Sequence, residues 1–102
     1  MDKTQWTISQ KRIDALLDQA ETQEHIFWNK ELVVSYRLPS GFTVLGRGAC
    51  VDPKNFDINM GRKVAREMAA HKLWQLEGYR LQLSMAGEIH DMREIENQHA
   101  VG

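Results

Sequence analysis

The apolar positions of this chain change period several times, and each change marks an element. Ile13, Leu16, Leu17 and Ala20 fall at i, i+3, i+4 and i+7, the stripe of an amphipathic helix, and Thr7 with Gln10 has the spacing of a capping box. The pattern predicts a helix over 8–22, too short to stand without a surface to dock on. His25, Ile26, Phe27 and Trp28 follow as an aromatic stretch that fits either an edge strand or the apolar end of that docking surface. From Leu32 the period drops to two, with Leu32, Val34, Tyr36 and Leu38 on one face and Val33, Ser35 and Arg37 on the other. Pro39-Ser40-Gly41 supplies a turn, after which Phe42 and Val44 alternate with Thr43 and Leu45. A β-hairpin is predicted.

Gly46 and Gly48 fit the end of regular pairing, a bulge, or a close backbone approach. Asp52-Pro53 and Asp57 are two successive helix-start signals. From Ile58 to Leu76 there is no proline, and Gly61, Ala65, Ala69 and Leu73 align at four-residue spacing beside Met60, Val64 and Met68. This predicts the principal helix, with a small-residue ridge that lets its axis come close to a neighbour. Glu77-Gly78 reads as its stop. Tyr79, Leu81, Leu83 and Met85 then alternate with Arg80, Gln82 and Ser84, predicting a third strand, with a kinked continuation of the helix as the alternative. Ile89, Met92 and Ile95 recur every three residues in an acidic segment, a marginal helix. The expected fold is α+β: N-terminal helix, β-hairpin, long helix packed on a small antiparallel sheet of about three strands, and weak C-terminal helix. Residues 1–87 form one domain in this reading, and 88–102 an acidic tail.

Composition narrows the class. At 102 residues, 42% hydrophobic and 26% charged, the chain suits a single modest core. The lone Cys50 has no bridging partner, and no cysteine–histidine spacing suits zinc, so stability is expected from packing in a reducing cytoplasm. Residues 1–25 carry charges throughout and no apolar run is long enough to span a bilayer, so neither a signal peptide nor a membrane span is expected. The net charge of -1 hides a polarity. Between 54 and 72 cations outnumber anions by three, and between 88 and 102 the excess is reversed.

Candidate chemistry is sparse. Cys50 and His71 could form a thiolate–imidazole pair, but the sequence specifies neither an oxyanion donor nor a third group, and a small cysteine at a strand end is the preferred reading. The histidines never approach metal-ligand spacing, so no metal and no cofactor is expected. Gly46-Arg47-Gly48, read as a loop ahead of a helix entry, could offer amides and Arg47 to a small anion, though it lacks the glycine fingerprint of a nucleotide fold. Arg62, Lys63, Arg66 and Lys72 make a basic helix face for an acidic protein, an anionic ligand or, less favoured without interleaved aromatics, nucleic acid. Trp74 and Tyr79 are expected to pack at the helix-to-strand corner. Trp6 and Trp28, in short segments that a small domain can hardly cover, are the interface candidates.

The strings SGFTVLGRGACVDPKNFD and GRKVAREMAAHKLWQLEGYRL carry a further signal. Through Gly41-Phe42, Val44, Gly46, Ala49-Cys50-Val51, Pro53, Asn55-Phe56-Asp57, Gly61-Arg62, Ala65, Lys72, Trp74 and Leu76-Glu77-Gly78-Tyr79, the stretch 36–83 resembles a family of small phage and prophage proteins, the gene-49/gene-66 phage family. The resemblance implies a phage-encoded protein acting in the cytoplasm of an infected bacterial host, and brings no catalytic residues with it. By analogy with the class, the expectation is a non-enzymatic accessory protein that binds or sequesters a host protein or a defence-related small ligand. The alternatives are a nucleic-acid-binding regulator using the basic face and a thiol enzyme at Cys50. A three-stranded sheet under one long helix leaves edges open, so a homodimer or higher homo-oligomer is expected.

Overall fold

A serine opens the first helix. In the computed structural model, which describes residues 8–87, the Ser9 hydroxyl accepts the Arg12 N–H at 3.1 Å and α1 runs Gln10–Asp18. Thr7, Trp6 and the tail 88–102 lie outside the described residues, and with them the expected capping box, one interface candidate and the C-terminal helix. Ile13 and Leu17 are buried and Leu16 and Ala20 half-buried, as the stripe requires.

The helix ends four residues short of the expected 22, because the chain turns at Gln19-Ala20 and residues Glu21–Phe27 become strand β1. Every residue of β1 is exposed, so it carries no in–out alternation to read. It is held by its backbone ladder to β2, Glu31–Arg37, in antiparallel register from Glu21 opposite Arg37 to Phe27 opposite Glu31. Between them Trp28 and Asn29 take positive φ angles of 57° and 53°, the left-handed pair that a tight hairpin needs.

The second hairpin follows the sequence reading. Leu38 N–H donates to the Phe42 carbonyl at 2.8 Å across the Pro39-Ser40-Gly41 turn, Gly41 supplying a φ of 92°. Strand β3, Thr43–Ala49, pairs antiparallel with β2, giving the sheet order β1-β2-β3. Leu32, Val34, Tyr36 and Leu38 are buried on one face together with Val44. Pairing continues unbroken through Gly46, Arg47 and Gly48, so the expected loop there is strand.

Of the three roles open to these glycines, close approach is the one realised. Asp52 caps a 3₁₀ turn at Pro53–Asn55, Asp57 accepts the Asn59 N–H at 2.9 Å, and α2 runs Ile58–Gly87 across β3 and β2. A Cβ at Gly46 would sit 1.9 Å from the Ala65 carbonyl oxygen, and one at Gly48 2.3 Å from that of Gly61. Gly61, Ala65 and Ala69 are all buried against the sheet, with Leu73 continuing the row. The small-residue ridge is therefore the surface on which helix and sheet meet.

Where a third strand was expected at 79–85, α2 simply continues, and the third strand of the sheet is β1. Gly78 keeps a negative φ and so does not act as a left-handed cap. Its penalty of about 1 kcal/mol is outweighed by the helix formers Leu76, Glu77, Arg80, Leu81, Gln82 and Leu83 around it. An i,i+3 hydrogen bond also spans it, from Arg80 Nε to Glu77 Oε2 at 2.7 Å. Trp74 packs on the core as expected, whereas Tyr79 is exposed because there is no helix-to-strand corner for it to fill. A methyl group at Gly78 would meet nothing within 4 Å. Gly78→Ala is accordingly expected to stabilise the protein by about 0.5–1 kcal/mol, read as a higher urea midpoint. A lower midpoint would mean that the helix bends at this residue.

Candidate functional site

Four-residue spacing sorts the surface of α2 into three rows around its buried ridge. Arg62, Arg66, Ala70 and Trp74 lean toward α1 and β1. Met60, Val64, Met68, Lys72 and Leu76 lean over β3. Lys63, Glu67, His71, Gln75 and Tyr79 face solvent. The basic residues named from sequence are thus divided among three faces and do not form one patch.

The arginines are also engaged. Arg62 meets Glu24 of β1 through two hydrogen bonds of 2.9 Å, an arrangement that holds the Glu24 carboxyl below its ordinary range even against partial desolvation. Arg66 donates to Asp18 Oδ1 at 2.8 Å and to the Asp14 carbonyl at 3.4 Å, tying α2 to α1. Arg47 lies on the sheet face away from α2, with Nε 2.9 Å from Glu31 Oε1, and this bond likewise lowers the Glu31 carboxyl. Lys72 Nζ donates to the Leu45 carbonyl at 2.8 Å, and exposed Lys63 makes no ion pair among the described residues. Sequence reading missed the counter-charges Asp18, Glu24 and Glu31. Their signal was the acidic character of 14–31, hidden because part of that stretch read as helix.

At the β1–β2 turn the surface is apolar instead. Trp28 is 81% exposed at the tip, with Ile26 and Phe27 beside it on β1. The rings of His25 and Phe27 lie 4.3 Å apart on the open sheet face. The Cys50 N–H donates to the Lys30 carbonyl at 3.0 Å, which brings Val51, 94% exposed, to the same end of the sheet.

Cys50 and His71 are not brought together. The Cys50 thiol donates to the Asp52 carbonyl at 3.0 Å and lines a cavity of about 250 Å³ with Phe56, Met60 and Val64. His71 stands on the solvent row roughly 16 Å further along α2, at 1.5 Å per residue from Met60. Among the described residues no group of three or more His, Cys, Asp or Glu is placed to hold a metal ion. No helix among them is long and apolar enough to cross a membrane.

Comparison with known proteins adds the lineage. The model of the family described as phage protein (N4 Gp49/phage Sf6 gene 66) matches residues 6–85, well over half of the chain and more than the stretch 36–83 that carried the resemblance, so the chain belongs to that family. No curated protein and no solved structure matches it.

Proposed function

We propose that this member of the N4 Gp49/Sf6 gene 66 phage family is a non-enzymatic accessory protein that acts by binding a protein of the infected host cell in its cytoplasm, with the Trp28 end of the sheet as its grip. The observation that carries this reading is Trp28 itself. A tryptophan held at φ 57° is in a conformation that disfavours any side chain by about 1–2 kcal/mol, and at 81% exposure it recovers little of that within its own chain. Exposed aromatic anchors of this kind, flanked by Phe27 and Val51, are what protein interfaces use as hot spots. The arginines first considered for an anion already hold carboxylates, which counts against a phosphate-bearing or nucleic-acid partner.

Trp28→Gly separates folding from function. It removes the anchor and relieves the left-handed strain, so the melting temperature is expected to rise, by the equivalent of up to about 1 kcal/mol. The same variant, used as bait in infected cells, is expected to lose the host protein that the wild-type chain retains, scored by quantitative mass spectrometry. Equal recovery of that protein by both baits would refute the assignment of Trp28.

A further inference from the structure

Thr43, Leu45 and Arg47 lie on the outer strand of the sheet with their backbone groups turned away from it. The Leu38 N–H donates to the Phe42 carbonyl and the Cys50 N–H to that of Lys30, which fixes the parity of the ladder: Val44, Gly46 and Gly48 are the residues that bond to β2. The N–H and C=O groups of the three residues between them point off the edge. Among the described residues only the Leu45 carbonyl has a partner there, the Lys72 ammonium at 2.8 Å. The β1 edge is built differently, with Glu21 held by Arg37 and Glu24 by Arg62, a charged covering that keeps an edge from pairing.

Gly46 and Gly48 bring α2 directly over β3, and this decides what the edge can accept. On one side the helix covers β2. On the other its row Met60, Val64, Met68 and Leu76, between 37% and 56% exposed, overhangs the flank of β3. A depression of about 250 Å³ lined by Ala49, Phe56 and Val64 lies at one end of this ledge, and one of about 470 Å³ lined by Phe42, Leu45 and Leu76 at the other. An occupant with a helix over its own edge strand would bring two helices to about one strand spacing, about 4.8 Å, where packed helices need about 8–10 Å. A second copy of this chain is such an occupant and does not fit. An extended segment with nothing stacked on its helix side does.

We infer that the β3 edge takes up an extended segment of the bound host protein as a fourth strand, and that this segment carries a carboxylate for Lys72. The inference rests on the proposal that the chain binds a host protein, and it names the form and charge of what is bound. Side chains of the added strand alternate: apolar ones lie beneath the Met60–Leu76 row, and polar ones stand beside Thr43, Leu45 and Arg47 on the open face. Lys72 is the charged member of the overhanging row. It makes no ion pair among the described residues, and its ammonium covers the carbonyl that the new strand has to leave free for its own N–H. A neutral strand displaces that ammonium without return, whereas a carboxylate on the helix side gives it a new partner as Leu45 joins the ladder. Lys72 is thereby a latch that guards the edge in the free protein and favours an acidic strand. The edge ends at Ala49, which pairs with Glu31 beside the turn that carries Trp28, so the two contacts belong to one end of the molecule.

Amide NMR of the isotope-labelled full chain tests this with a defined probe: short synthetic peptides of alternating threonine and valine, with glutamate, glutamine or lysine in place of the central valine. The glutamate peptide is expected to shift the amides of Thr43, Leu45 and Arg47 and to slow their exchange, leaving those of β1 unmoved. The glutamine peptide is expected to bind about threefold more weakly, the order of one exposed ion pair, and the lysine peptide more weakly still. Lys72→Met is expected to erase the difference between the glutamate and glutamine peptides, an effect that loss of packing alone does not produce. Leu45→Pro removes an edge N–H that β2 does not use and is expected to abolish binding, with far-UV circular dichroism verifying the fold. The same peptide with its amides N-methylated makes that test without altering the protein. Unshifted β3 amides overturn the inference, as does equal binding of the three peptides by the wild-type chain or full binding of the N-methylated peptide. Trp28→Gly leaves this edge intact and is expected to bind the peptide as wild type does, so failure here and failure of the Trp28 assignment are read separately.

Discussion

Gly46→Ala is expected to destabilise the protein by at least about 3 kcal/mol, a large fraction of the total for a domain of this size. The added methyl would stand 1.9 Å from the Ala65 carbonyl oxygen, 2.6 Å from its carbon and 3.1 Å from its Cα, all of them backbone. No rotamer can relieve such a clash, so the helix has to lift off the strand by more than an ångström. That lift would loosen Ala65, Ala69 and Leu73 from Val34, Tyr36 and Val44, all buried in the same core. Gly48→Ala meets Gly61 in the same way, at 2.3 Å from its oxygen and 2.8 Å from its Cα. From the helix side, Ala65→Leu should be similarly severe, because Ala65 has no exposed surface at all. Gly61→Ala is the contrast. Its nearest neighbour would be the Leu32 Cβ at 3.4 Å, an ordinary contact, so it is expected to be nearly neutral. Urea denaturation of the four variants checks the series, and a Gly46→Ala midpoint equal to wild type would show that helix and strand are not in backbone contact.

The second large effect is expected at Glu77, the one buried charged residue among those described, on the α2 ridge directly after Leu73. Burial alone would push its carboxyl up, but hydrogen bonds from Arg80 at 2.7 Å and from Arg12 at 3.2 and 3.3 Å prevail and hold it below the ordinary glutamate value. The carboxylate thus joins α1 to α2 while bracing the helix across Gly78. Glu77→Gln keeps the shape and removes the charge that both arginines address, and is expected to lose about 2 kcal/mol at neutral pH. A carboxyl whose native pKa is depressed contributes stability above its unfolded value, about 4.3, and loses it as the pH falls through the native value. The difference between wild type and Glu77→Gln should therefore be full at pH 7 and shrink as the pH falls below about 4.3. A gap of the same size at pH 3 and pH 7 would assign the loss to packing and not to the ion pair.

Both effects show where local pattern suffices and where it fails. The two-residue alternation from Leu32 to Leu38 and the four-residue row from Gly61 to Leu73 were legible because each of these elements buries one face, and burial writes a period into the sequence. Strand β1 was only half legible, through its aromatic end, because both its faces are wet and seven exposed residues carry no period. The alternation at 79–85 misled for the converse reason. Four apolar residues at every second position fit a strand, yet on a helix with little packed against it they lie around the surface without penalty, and local helix propensity prevailed.

The candidate site divides in the same way. Trp28 could be named from sequence because a large aromatic in a short segment has few places to hide, and it stands exposed at a hairpin tip. The basic face could not be judged from sequence, since whether four cations form a patch depends on which rows of the helix they occupy and which carboxylates reach them. Arg62 and Glu24 are 38 residues apart, Arg66 and Asp18 48, and only the folding of β1 and α1 beside α2 closes those distances.

By itself, then, the sequence determined the lineage, the hairpin, the principal helix and the small-residue ridge, because these follow from local periodicity and from residues whose size or backbone freedom has one economical use. Tertiary structure alone decided that the glycines of β3 are a contact and not a loop, that α2 passes through Gly78, that the candidate arginines Arg47, Arg62 and Arg66 hold internal carboxylates, and that one sheet edge is left open beside an apolar helix row. Each of these depends on which distant segment arrives at a given face, and a linear pattern of apolar and polar residues does not encode that.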